Sequence, residues 1–249
     1  MKKILTILLF SVNLLSFSQW TDDFSDGDFL NSPAWQGQTG NFEIDALNQL
    51  HLLAPAFDDT SYLAVPSTAI ENASWEFYVE MDFATSGTSL SRVYLTSNNS
   101  NLKNALNGYF VMIGNSDDEI SLYRQTGLTK TKIIDGVDDF ITGSSVNVRI
   151  KATRDAVGNW ELLADNTGGN TFISQGTVLD NIYLSSSYSG VQCTYIASRS
   201  EKFYFDDFIV TGTAFIDNIS PTVLSTTASS NTTVDVLFSE NMDQTSVET

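Results

Sequence analysis

Cysteine is almost missing from this chain of 249 residues: Cys193 stands alone, so no intramolecular disulfide can brace the fold and stability has to come from buried area. In a Val-Gln-Cys-Thr-Tyr strand it reads as a small buried hydrophobe. Histidine is equally scarce, with His51 the single example. One histidine and one cysteine cannot build a usual zinc site, and His51 in Gln-Leu-His-Leu-Leu has no flanking nucleophile motif for a Ser-His-Asp arrangement. A Gly-x-x-x-x-Gly-Lys loop and a dinucleotide fingerprint are both absent. Cations are few as well: 12 Lys and Arg against 30 Asp and Glu give a formal net charge of -18, a field that repels nucleic acid. Long apolar runs are missing too. The longest, Ile4 to Leu15, is shorter than the roughly 20 residues that a membrane span needs.

That run does have a use. Lys2 and Lys3 precede it, and the small residues Ser16 and Ser18 follow it, which is the pattern of a cleavable secretory signal. The expected mature chain begins at Gln19 and is secreted or held at the outer cell surface, where its acidity serves solubility.

Alternation with period two dominates the rest. From Trp75 to Phe83 one face collects Trp75, Phe77, Val79, Met81 and Phe83, and the other takes Glu76, Tyr78, Glu80 and Asp82. Val146 to Thr153 repeats the pattern. Weaker strands are predicted at Leu50 to Leu53, Ser91 to Thr96, Tyr109 to Ile113, Ile120 to Gln125, Trp160 to Asp165, Val191 to Ile196 and Phe203 to Thr211. Runs such as Asn98-Asn99-Ser100-Asn101 and Asn115-Ser116-Asp117-Asp118 mark turns, with a short helical turn expected near Asn101 to Leu106. Short strands, regular turns and no helical stripe indicate an all-β antiparallel sandwich. At Phe215 to Pro221 the pattern breaks. The expected organisation is a signal peptide over 1–18, a sandwich over 19–213, a linker over 214–220, and over 221–249 the first strands of an Ig-like domain that needs nearer 100 residues to be whole.

Two aromatic and acidic segments, Trp20-Thr-Asp-Asp-Phe-Ser-Asp-Gly and Phe203-Tyr-Phe-Asp-Asp-Phe-Ile-Val, bracket the sandwich. Together with Gly108-Tyr-Phe-Val-Met-Ile-Gly, Ile120-Ser-Leu-Tyr-Arg and Arg154-Asp-Ala-Val-Gly-Asn-Trp-Glu-Leu, they make Gln19 to Thr213 resemble the concanavalin A-like (laminin G-like) lectin/glucanase jelly roll. The resemblance implies that the first and last strands of the domain pair. Val234-Asp-Val-Leu-Phe-Ser-Glu-Asn-Met-Asp is similar to bacterial Ig-like repeats of the S-layer SbsA type. The whole then looks like the amino end of a larger secreted or surface protein of a Bacteroidota-type bacterium.

Glucanases of this fold carry a Glu-x-Asp-x-x-Glu strand, because retaining hydrolysis needs two carboxyls about 5 to 5.5 Å apart. Glu43-Ile-Asp45 and Glu80-Met-Asp82 each lack the final carboxylate, so the expectation is a non-enzyme. Binding chemistry remains. The resemblance implies a structural calcium, with Asp23 and Asp207 as candidate ligands, although Asp-Gly turns are common without metal. For polysaccharide or a cell-surface glycan, candidate outward positions are Arg92, Tyr94, Tyr123, Arg124 and Tyr195, with Trp35 on a rim loop. Ordinary cross-strand pairing of these tyrosines and arginines is the alternative. Three functional readings stand: a carbohydrate-binding or adhesive module, a structural spacer, and an accessory domain of a secreted glycoside hydrolase.

Overall fold

The computed structural model describes residues 18–216 and 221–239, so the signal-peptide reading up to residue 17 and the last part of the Ig-like reading lie outside the described residues. The chain divides into a larger unit that ends at Phe215 and a smaller one that starts at Ile216. In the larger unit the strands are β1 (Ser18–Asp22), β2 (Gln36–Gly37), β3 (Phe42–Ile44), β4 (Leu50–Leu52), β5 (Asp59–Pro66), β6 (Glu71–Met81), β7 (Leu90–Ser97) and β8 (Leu106–Ile113). They continue with β9 (Ile120–Gly127), β10 (Thr129–Ile134), β11 (Val146–Arg154), β12 (Asn159–Asp165), β13 (Ile173–Leu179), β14 (Tyr188–Tyr195) and β15 (Phe203–Thr213).

All pairs are antiparallel, and two sheets result. One has the order β13-β12-β11-β6-β15-β4-β3, with β1 also on β15; the other runs β10-β9-β8-β7-β14-β5-β2. This is an all-β antiparallel jelly-roll sandwich. Its first and last strands are neighbours, with Trp20 opposite Val210 and Asp22 opposite Phe208. The core fills the space between the sheets. Trp75, Phe77, Val79 and Met81 of β6 are buried there with Val148 and Ile150 of β11, against Val93, Val111, Leu122 and Val191 of the other sheet. Each such side chain contributes about 1.5–3 kcal/mol relative to leaving it in water.

Strand β15 departs from simple alternation. Asp206 lies opposite Tyr78 and Ile209 opposite Glu76, so the strand carries an extra residue at this point, and Asp207 takes a left-handed φ of 52°. The bulge lets Phe205 and Phe208, three positions apart, both face the core. Aspartate tolerates that backbone conformation better than a branched or bulky residue does.

At the helical turn expected near Asn101 to Leu106 a single turn forms, in which the Asn104 N–H donates to the Asn101 carbonyl at 3.2 Å, but no helix follows: the segment is a loop, braced by its own amide side chains, before β8 begins at Leu106. Asn side chains that bond nearby backbone N–H groups compete with a helix. No described helix is long and apolar enough to cross a membrane. The smaller unit contains β16 (Val223–Ala228) and β17 (Val234–Phe238), an antiparallel hairpin with Thr226 opposite Val236.

Candidate functional site

The outer face of the seven-stranded sheet is built by side chains of one parity. Tyr94 on β7 sits opposite Phe110 on β8, which sits opposite Tyr123 on β9. Arg92 lies between Met112 and Gln192. Part of this face is roofed by the loop from Asn98 to Ala105. Leu102 and Leu106 close over Ala64, Tyr94 and Phe110 to form a second apolar cluster, and Gln192 fixes the roof by donating from Nε2 to the Leu102 carbonyl at 2.7 Å. Gly190 makes room for it, since a Cβ there would stand 3.0 Å from Leu102 Cδ1 and 2.2 Å from the Leu63 carbonyl oxygen.

Tyr94 is therefore on the expected face but has 0% exposure. Its hydroxyl donates to Gln125 Oε1 at 2.9 Å, and burial pushes that hydroxyl up to about 12. It is a foundation for the face. Tyr123 is half-buried and stacks on Phe110 with ring centroids 5.2 Å apart.

Beside the roof lies a cleft of about 290 Å³, where Arg92 and Gln192 form part of the wall with Thr194, Gln125, Lys130 and the exposed Leu128. Arg92 donates from Nη1 to Gln192 Oε1 at 2.6 Å and to Thr194 Oγ1 at 3.2 Å. Its Nε is buried without a hydrogen-bond partner, and Cζ stands 5.9 Å from the Phe110 ring centroid. Burial lowers the pKa of this guanidinium. Lys130 is lowered too, first by burial and then by repulsion from Arg92. On the rim, Lys103 pairs with Asp59 at 3.1 Å.

Two of the outward assignments are corrected by the structure. Tyr195 faces the core, and its hydroxyl bonds Ser61 Oγ at 2.8 Å. Arg124 follows Tyr123 directly and so lies on the opposite side of β9, opposite the core residue Tyr109, where it pairs with Asp180. Trp35 is likewise no rim residue: it is buried against Phe208, with its indole N–H donating to Asp22 Oδ2 at 2.8 Å. Sequence reasoning missed Lys130 and Gln192. The Thr-Lys-Thr-Lys alternation of β10 and the parity of Gln192 relative to the buried Cys193 are the signals that point to them.

Asp23 and Asp207 line a second cleft, of about 550 Å³, which they share with Arg149. Arg149 Nη2 lies 2.5 Å from Asp207 Oδ2, so a guanidinium occupies the cationic role beside this carboxylate. Among the described residues, no three His, Cys, Asp or Glu are grouped to hold a metal. Asp207 is held in that ion pair and Asp23 accepts from the N–H and hydroxyl of Ser25, so as arranged the two do not offer a calcium shell of six to eight oxygens. Chelation is expected to leave the melting temperature unchanged; a fall on adding EDTA, reversed by calcium, would reinstate Asp23 and Asp207 as ligands.

Near this cleft two carboxyls are raised. Burial pushes Asp22 up to about 6, against the hydrogen bonds from Trp35 and Phe24. Asp206 is also pushed up to about 6, by burial first and then by Asp207 and Asp23. In each case the folded state holds a proton that the unfolded chain, with a value of 3.8, has already released. Their contribution is full below about pH 4 and is lost as pH rises through 6. Asp206→Asn keeps the acceptor for the Asp207 N–H and removes the charge. It is expected to add about 1 kcal/mol at pH 8, discounted for partial exposure, or roughly 2–4 °C in melting temperature, and nothing at pH 4. Thermal melts across that range check this.

The carboxylates weighed for catalysis are all engaged elsewhere. Glu43 faces His51 Nδ1 at 3.2 Å, and Asp45 caps a turn by accepting the N–H groups of Leu47 and Gln49. Glu80 accepts the Tyr78 hydroxyl at 3.1 Å, and Asp82 pairs with Lys202 at 3.2 Å.

No family model matches the chain, and no curated protein sequence does. Solved structures do match. The carbohydrate-binding module CBM66 from Bacillus subtilis superposes with a TM-score of 0.53 at 11% identity, covering 73% of this chain and 98% of the module. The carbohydrate recognition domain of Emp47p gives 0.54 at 12% identity, covering 81% of this chain and 98% of that domain. The exoplasmic/lumenal domain of VIP36, in its Ca2+/Man2-bound form, gives 0.54 at 12% identity, covering 80% and 89%. At these identities the likeness speaks for the fold.

Proposed function

We propose that the sandwich is a non-catalytic carbohydrate-binding module of an exported, multidomain protein. The observation that carries this reading is the cleft on the outer face of the seven-stranded sheet, where Arg92, Gln192 and Thr194 offer fixed polar groups beside the apolar Leu128. Glycan sites combine such groups: apolar surface for sugar C–H faces and a few oriented polar atoms. Two further points support it. Similar solved structures carry names that describe carbohydrate modules and recognition domains, and Glu43, Asp45, Glu80 and Asp82 are all committed to neighbours. Glycan-array and insoluble-polysaccharide pull-down assays on the full chain test it, with retention expected. Loss of all retention would leave the spacer reading. Reducing-sugar release abolished at Glu80 or Asp82 would instead make it a hydrolase. Export with cleavage before Gln19 is part of the same proposal, and N-terminal sequencing of the exported protein checks it.

A further inference from the structure

Most cations of the described residues are neutralised locally. Lys103, Arg124, Lys132, Arg149, Lys151 and Lys202 each face a carboxylate. Arg154 and Arg199 have no such partner but lie over the rings of Trp160 and Phe83. Arg92 lies over a ring in the same way, that of Phe110, but it shares its cleft with Lys130, a second cation that faces no carboxylate among the described residues. They stand on neighbouring parts of one cleft, close enough for Arg92 to depress Lys130, and neither has an ion-pair partner among the described residues. In a chain with 30 acids and 12 cations, a partly buried guanidinium beside a solvent-exposed ammonium, neither with a counter-charge, leaves this cleft locally positive. Arg92 also keeps a buried Nε that no protein group accepts, which costs stability. Its hydrogen bonds run to neutral oxygens, of Gln192 and Thr194, which aim the guanidinium without neutralising it.

We infer that this cleft receives an anionic group on its glycan, the carboxylate of a uronate or a sulfate ester, held between Arg92 and Lys130. The inference rests on the carbohydrate-binding reading and narrows its ligand class. Arg92 Nη2, which makes no hydrogen bond among the described residues, and the ammonium of Lys130 beside it match the oxygens of either anion. Leu128, with 75% exposure, supplies apolar surface for the ring that carries the charge. Global attraction does not explain such binding. The formal net charge of -18 repels a polyanion at a distance, so any affinity has to come from local contacts.

Affinity electrophoresis and calorimetry on the full chain decide this, with polymers in matched pairs: polygalacturonate against its methyl ester, and a sulfated galactan against the desulfated form. At least one charged form is expected to bind about tenfold or more tighter than its neutral counterpart. The pair that shows the difference identifies the anion. Arg92→Gln and Lys130→Gln are each expected to weaken that binding about tenfold, and added salt to weaken it further. Arg92→Met supplies a second readout. If the guanidinium is there for a ligand, its removal lowers affinity and leaves the melting temperature equal or higher. Equal affinity for charged and neutral forms, or full affinity in Lys130→Gln, overturns the inference and leaves the carbohydrate reading standing. A fall in melting temperature of Arg92→Met with binding unchanged makes Arg92 a structural bridge and overturns it too. Absence of binding to all four polymers overturns the inference, and retention on the glycan array then decides whether the carbohydrate reading stands.

Discussion

Replacing Phe208 by alanine is expected to destabilise the sandwich by about 3–5 kcal/mol, which for a unit of this size lowers the melting temperature by roughly 10 °C. The ring is 2% exposed and sits at the centre of an aromatic knot. Its centroid lies 5.3 Å from Trp35, 5.7 Å from Trp20 and from Phe77, and 6.2 Å from Phe24. Three of these partners come from β1 and the loop after it, so the ring is what seals the first strand onto the last. Its removal leaves a cavity walled by large, rigid rings that cannot collapse inward, the condition under which the cost of truncation is highest. The same knot holds Phe24 at a φ of 49°, a conformation costly for a bulky side chain and supported by the Phe24 N–H bond to Asp22 Oδ1 at 3.0 Å. Thermal and urea melts of Phe208→Ala, with Phe57→Ala as a control on a ring 54% exposed, measure the effect. Equal stability of the two variants would show that the knot is not a source of stability.

Deleting Asp206 and Asp207 together is expected to do more: the larger unit should lose its cooperative transition. Asp207 is the extra member of the bulge in β15, so losing it alone leaves Phe205 and Phe208 two positions apart, where simple alternation keeps both inward. Without Asp206 as well, Phe208 follows Phe205 directly and every side chain from Phe208 onward changes face, so Phe208 and Val210 turn to solvent and Ile209 turns inward beside β6. Asp207→Gly and the single deletion of Asp207 are the controls. Glycine adopts the left-handed backbone easily, and only the partly exposed pair with Arg149 is lost, a change of about 1 kcal/mol or less. Near-ultraviolet circular dichroism distinguishes the outcomes: native aromatic signal in both controls, none in the double deletion. A native signal in the double deletion would mean that β15 can re-register.

The fold was legible wherever one sheet face is buried and the other wet. Trp75 to Met81 and Val146 to Ala152 show their parity directly, and the structure buries the apolar members of both. Strand β5 was missed because Asp59-Thr-Ser opens it with turn formers and because Ala64 and Val65 are both buried, on opposite faces, which erases alternation. Strand β10 was missed because its Thr-Lys-Thr-Lys is the polar signature of an edge. The site was half legible for a related reason. Parity alone puts Tyr195 with Cys193 inside and separates Arg124 from Tyr123, and that information was present in the sequence. What parity cannot supply is the roof over Tyr94, which depends on Leu102 meeting Gly190, or the approach of Arg149 to Asp207 from 58 residues away. Both depend on how distant segments meet in the finished sandwich.

The pairing of the first strand with the last also sets how the module carries mechanical load. Ser18 stands opposite Thr211 in an antiparallel ladder, so the outer ends of the two strands lie on the same side of the sandwich. Tension applied through those ends acts across the strands, and it opens the ladder one hydrogen bond at a time rather than shearing all of them together. The rupture force is then set by one pair of residues and by the aromatic rings behind it, and the chain can lengthen by peeling β1 before the two-sheet core gives way.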